Sequence, residues 1–199
     1  MAMNLLGGSL SLANHHEDAL TVMEAELSTL RRYGASERSM LAVQGNLATT
    51  YNSLGRVEDA SRIEKDVYSA GLKLNGEEHE STLRSANNYA DSLVNLERFE
   101  EARSVLRKTT SVARRVLGEG DQLTLKMRWV YAMALYKDDS ASLDDLREAV
   151  TILEDTERTT RRVFGGAHPL TFSIEDELRN ARAALGETRS LSLSSVTQT

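Results

Sequence analysis

The sequence predicts an all-α chain built as a solenoid of antiparallel helix pairs, and three observations carry that expectation. Four stretches align in register, with an alanine column at Ala19, Ala60, Ala102 and Ala149 and a β-branched column at Val22, Ile63, Val105 and Ile152. A glycine column at Gly34, Gly76, Gly118 and Gly165 and a large apolar column at Leu41, Leu83, Leu125 and Phe172 each step by 42, 42 and 47 residues. Periods of that size mark stacked supersecondary units, each unable to bury its apolar face alone. A single proline in 199 residues leaves long helices uninterrupted. Finally, Leu47, Ala48, Tyr51 and Leu54 recur at helical spacing, and Gly55 then supplies a turn.

The first repeat, about residues 4–41, opens with a short helix that contains Gly7 and Gly8 and turns at Asn14. Its Leu5, Leu6 and Leu10 face has nothing ahead of it to bury against, so the expectation is either a fragment of a longer array or self-association through this uncapped end. Its second helix begins with Glu17 and Asp18, which suit the positive end of a helix macrodipole. The second repeat, about 42–83, pairs NLATTYNSLG with a helix opening at Glu58 and Asp59. In the third, about 84–125, a long second helix runs from Phe99 to Leu117. Each second helix places a cation (Arg31, Lys73, Arg115, Arg162) three residues before its glycine, at the end where positive charge is favoured. Glu37, His79, Asp121 and His168 then stand where the next helix needs a polar cap, and Pro169 occupies a first helical position.

The fourth repeat, about 126–172, carries five extra residues in KDDSASLDD, which is read as a tolerated surface loop. Residues 173–186 form a capping helix whose stripe of Ile174, Leu178, Ala181 and Leu185 faces inward. Gly186 is expected to end it, and the Ser/Thr-rich tail 187–199 is expected to be disordered.

The segments NLATTYNSLGRVEDA, NNYADSLVNLERFEEA, LGEGDQLTL and FGGAHPLTF together resemble the tetratricopeptide repeat, specifically its kinesin light chain type of about 42 residues. The likeness covers about residues 4–186. It implies a right-handed superhelical solenoid whose first helices line a concave face. No sustained heptad run accompanies the repeats, so the resemblance does not extend to a motor-binding coiled coil.

Composition narrows the function classes. With 24 Lys+Arg against 30 Asp+Glu the net charge is −6, which works against a nucleic-acid footprint. No stretch reaches the roughly 18 apolar residues that would span a bilayer, so no membrane partner is expected. The start MAMNLLGGSLSLA has no basic residue ahead of its apolar part, which argues against a secretory signal, and a cytoplasmic location is expected. The chain has no cysteine, no GxSxG and no phosphate-binding loop after GEG at 118–120, so no enzyme activity and no cofactor are expected. The run His15, His16, Glu17, Asp18 reads as a helix start rather than a metal site, because adjacent helical side chains diverge by about 100°. Arginine pairs at 31–32, 114–115 and 161–162 recur because helix ends recur; an anionic partner along that edge is the weaker reading.

The resemblance places the binding surface on the first helices. Carried over position by position, it yields Asn46, Thr49 and Asn52 from the second repeat and Arg84, Asn87, Asn88, Asp91 and Asn95 from the third. The fourth repeat adds Lys126, Trp129, Met133, Tyr136 and Lys137. Amides can donate to and accept from a peptide backbone, and the aromatic pair offers an apolar anchor. The alternative for Trp129 and Tyr136 is packing against the neighbouring helices. The expected function is a non-catalytic scaffold that binds a peptide segment of a protein partner in this groove. The other reading is a regulatory or sensor part of a larger signalling protein.

Overall fold

The computed structural model describes residues 15–196, with side chains through residue 188. The opening helix expected at residues 4–13, with Gly7, Gly8 and the Leu5, Leu6 and Leu10 face, lies outside the described residues, as do Asn14 and residues 197–199. Every regular element among the described residues is an α-helix, and none of them is long and apolar enough to cross a membrane. The helices fall into two compact units, one up to Leu96 and one from Glu97.

The N-terminal unit contains α1 (His16–Arg32), α2 (Glu37–Ser53), α3 (Val57–Asn75) and α4 (Glu80–Asn95), each packed on the next. Met23 and Leu27 of α1 meet Val43, Leu47, Ala48 and Tyr51 of α2 and Ala60 of α3 in one core. Ala19 and Ala60 are fully buried, as the alanine column requires where helices cross closely. α3 and α4 approach each other at Gly71, where a Cβ would lie 3.4 Å from Thr82 Oγ1, and Thr82 Oγ1 donates to the Gly71 carbonyl at 3.2 Å.

The C-terminal unit contains α5 (Phe99–Val116), α6 (Gln122–Tyr136), α7 (Leu143–Phe164) and α8 (Pro169–Val196), again packed in sequence, with α6 also touching α8. Leu125, Ala132 and Leu135 of α6, Ala149 and Leu153 of α7, and Leu170, Ile174, Leu178 and Ala181 of α8 form its core. Within that interior the buried Thr156 and Thr160 hydroxyls donate back to the Ile152 and Thr156 carbonyls of their own helix, both at 2.6 Å.

His79 and Asp121 cap α4 and α6 as expected, and His168 Nδ1 accepts from the Leu170 N–H at 3.2 Å at the start of α8. α2 differs: its cap is Ser36, whose hydroxyl accepts from Ser39 N at 3.2 Å, and Glu37 is already helical. A serine oxygen on a short stem reaches that N–H without strain.

The expected helix end at Gly186 is corrected, because α8 continues through it to Val196. Gly165, which does end α7, adopts φ 88°, whereas Gly186 keeps a negative φ, and a helical glycine costs only about 1 kcal/mol relative to alanine.

The five-residue insertion is a pinned loop. Arg103 of α5 is buried and donates to Asp138 Oδ2 at 3.0 Å, and it also pairs with Glu100. Asp138 in turn accepts from Ser140 N, and Ser142 and Asp145 form a reciprocal capping box that starts α7.

Candidate interaction groove

Two first helices with a second helix beneath them leave a cavity in the N-terminal unit. It measures about 460 Å³ and is walled by Ala42, Gly45, Asn46 and Thr49 of α2 and by Ser81, Arg84, Ser85 and Asn88 of α4. Val67 and Gly71 of α3 supply its floor. Small residues make the room: a Cβ added at Gly45, in the interior of α2, would meet nothing within 4 Å.

One end of the cavity is closed by a hydrogen-bonded chain. Arg38 Nη2 donates to Asn75 Oδ1 at 3.0 Å, and Asn75 Nδ2 donates to Ser81 Oγ at 3.4 Å. The Ser81 hydroxyl is 2.8 Å from His79 Nδ1, which also accepts from Ser81 N at 3.2 Å. Because Nδ1 is an acceptor there, the hydroxyl donates to it. The cavity lining holds two guanidinium groups, Arg38 and Arg84, and no carboxylate; Glu80, which pairs with Arg84, stands outside the lining. The site therefore combines an apolar floor, amide and hydroxyl walls and two guanidinium groups, that of Arg84 paired with Glu80 outside the lining and that of Arg38 hydrogen-bonded to Asn75.

Asn46, Thr49, Arg84 and Asn88 are brought together on this cavity. Asn52 lies one turn further along α2, half-buried, and donates to Glu64 Oε1 at 3.2 Å and to Ser92 Oγ at 3.0 Å. Asp91 is half-buried and Asn95 exposed at the same end of α4. Asn87 is a correction: it is 8% exposed, on the buried side of α4, because its neighbour Asn88 takes the groove-facing direction and adjacent helical side chains diverge.

The five residues expected from α6 are placed in the C-terminal unit and are described with it. Met133 is a second correction, since at 7% exposure it belongs to the buried face of α6. Trp129 packs on the core cluster with its Nε1 buried and without a partner, and Lys126 is half-buried. Tyr136 also packs there and donates its hydroxyl to Glu177 of α8, while Lys137 Nζ lies 3.2 Å from Glu177 Oε1. Burial, then the Glu177 hydrogen bond, pushes the Tyr136 phenol up. The aromatic pair is used for packing because α8 lies across α6 and brings an acceptor to the phenol.

Sequence reasoning missed Arg38, Leu41, Val67, Gly71 and Ser81, which line the cavity from the ends of α2 and α4 and from α3. A signal was present in α3: Ala60, Glu64, Val67 and Gly71 recur at intervals of four, three and four, so they share one helical face. Along the basic edge, Arg114 donates to Glu119, and Arg161 to Glu157 and Glu175, so these cations are already paired. No group of three acidic or histidine side chains that could hold a metal occurs among the described residues.

Residues 39–115 match the tetratricopeptide repeat family model. No curated protein sequence matches the chain. Among solved structures it is similar to a single-substitution form of a Podosopora anserina protein, described as a kinesin light chain with nearly identical TPR-like repeats, at 22% identity and a TM-score of 0.77, covering 95% of this chain and 87% of that one. The form of the same protein described without a substitution gives 22% identity and a TM-score of 0.75, over 95% and 88% of the two chains. BtubC (BKLC) from P. vanneervenii is similar at 15% identity and a TM-score of 0.63, over 96% and 79%. With the helix pairs, the register of the columns and the family match in agreement, residues 39–115 are tetratricopeptide repeats and the chain has the fold of kinesin light chain-like repeat proteins.

Proposed function

We propose that the chain is a non-catalytic interaction scaffold and that the α2–α4 cavity receives a peptide segment carrying an acidic portion and one large apolar residue. Tetratricopeptide repeats generally mediate protein–protein interaction, which supports the scaffold reading. The observation that carries the peptide reading is the convergence of Asn46, Asn88 and Arg84 on a cavity with an apolar floor and no carboxylate in its lining. Amides on facing walls suit a peptide backbone, Val67 and Leu41 suit an apolar side chain, and the two guanidiniums suit carboxylates.

A peptide array followed by calorimetry on the best ligand tests this. Asn88→Ala should weaken binding about tenfold, or about 1 to 2 kcal/mol, because a backbone group of the ligand loses its partner. Gly45→Phe should abolish it by filling the cavity, with the helical far-ultraviolet spectrum retained. Wild-type affinity in both variants, together with loss in variants of Arg114 and Arg115, would move the site to the basic edge.

A further inference from the structure

Outside the cavity lining, but on the helix that supplies its floor, stands a group that the peptide-binding chemistry does not use. Glu64 of α3 is 2% exposed, and it lies on the same helical face as the cavity-lining Val67 and Gly71. Its Oε1 accepts from Asn52 Nδ2 at 3.2 Å, while its Oε2 is buried with no hydrogen-bond partner. Above it, Asn52 of α2 and Ser92 of α4 face each other: Asn52 Nδ2 donates to Ser92 Oγ at 3.0 Å, and the Ser92 hydroxyl is placed to donate back to Asn52 Oδ1 at 3.3 Å. Asn52 is three residues beyond Thr49 and Ser92 four beyond Asn88, so the same two walls that enclose the cavity are tied together one turn further on.

We infer that the Glu64 carboxyl is a proton-linked latch that sets the spacing of α2 and α4 and thereby the width of the groove. This rests on the peptide-groove reading for its consequence, although the latch itself is a property of the free protein. In the neutral form, Glu64 accepts from Asn52 and its own proton is a donor that a lone pair of Ser92 Oγ can take, so the single hydroxyl hydrogen of Ser92 is free to return to Asn52 Oδ1 and close the tie in both directions. In the ionised form, the carboxylate is acceptor-only and buried, so it draws that hydrogen from Ser92 and leaves Asn52 Oδ1 without its donor. The wall-to-wall tie is then reduced to one bond. The groups facing the carboxyl are Asn52 from α2 and Ser92 and Asp91 from α4, so the only charge among them is a further negative one. Burial pushes the Glu64 carboxyl up to about 7, with the Ser92 and Asn52 hydrogen bonds acting against burial and Asp91 acting with it. The two states therefore exchange near neutral pH, and the groove is closed and preorganised on the acid side.

The chain has no cysteine, so paired spin labels report the spacing directly. Labels at Ser53→Cys and Asn95→Cys, both exposed at the ends of α2 and α4, should show an inter-label distance that lengthens and broadens as pH rises from 6 to 8. The same pair in Glu64→Gln, a neutral side chain of the same shape, should hold the acid-side distance throughout. A distance in the unsubstituted background that does not change with pH overturns the latch, and so does the same pH response in Glu64→Gln. Carbon-detected titration of the Glu64 carboxyl in the unlabelled chain, independent of any variant, should show a midpoint near 7; a midpoint near the ordinary 4.5 also overturns it. None of these readouts needs a ligand, so failure of the latch is distinguishable from failure of peptide binding in the cavity.

Discussion

Glu97 and Gly55 occupy the same turn position 42 residues apart, and both adopt a left-handed backbone, at φ 57° and 74°. Glycine takes that conformation without a Cβ clash, while for a glutamate it costs roughly 1 kcal/mol. Glu97→Gly should therefore raise stability by about 0.5 to 1 kcal/mol, part of the gain being offset by the greater freedom of glycine in the unfolded chain. Chemical denaturation of the two proteins side by side checks this; an equal or lower midpoint in the variant refutes it.

Ala102 is fully buried on α5, as the alanine column predicts. Ala102→Leu should destabilise by about 1 to 3 kcal/mol through overpacking. An unchanged melting temperature would show that the crossing has room and that the column is not a packing constraint.

The Glu64 carboxyl binds its proton more tightly in the folded chain, near 7, than its ordinary 4.5. The sign follows: its contribution is neutral below about pH 4.5, stability falls as pH rises from there to about 7, and the full cost, about 3 kcal/mol, persists above. Glu64→Gln should remove that cost, so its advantage over the unsubstituted protein should be small at pH 4.5 and large at pH 8. Denaturation midpoints at the two pH values decide the matter, and a pH-independent difference counts against it.

Arg103 holds the inserted loop through Asp138, whose carboxyl is held below the ordinary range mainly by Ser140 hydrogen bonds and further by the Arg103 guanidinium. Arg103→Met keeps the packing stem and removes the charge. It should cost about 2 kcal/mol and speed amide exchange in residues 137–142, because the buried end of the loop loses its charged partner. Unaltered exchange there would mean that the capping hydrogen bonds alone fix the loop.

The helix pairs were legible because burial at a crossing constrains residue type, which the alanine column records, and because a left-handed helix end favours glycine, which the glycine column records. Caps were legible at His79 and Asp121, where the repeat register marks the cap position, and misplaced by one residue at Glu37, where Ser36 is the cap. Groove residues were harder. A one-residue step along a helix turns a side chain by about 100°, so Asn87 and Asn88 look alike in sequence and lie on different faces. Trp129 and Tyr136 carry the composition of a binding anchor, yet which side of α6 they serve depends on where α8 lies, and that is a tertiary fact. Residue type alone does not single out Glu64; only its spacing from Ala60, Val67 and Gly71 marks the face it shares.

The hydroxyls of Thr156 and Thr160 answer only to their own helix. A polar group satisfied in this way imposes no registry on what packs over it, so shape alone governs the packing at these two buried positions of α7. Methyl-for-hydroxyl exchange there alters no bond between helices, which makes the interior of α7 a place where sequence can drift, or be redesigned, without dictating how the adjoining helices are placed.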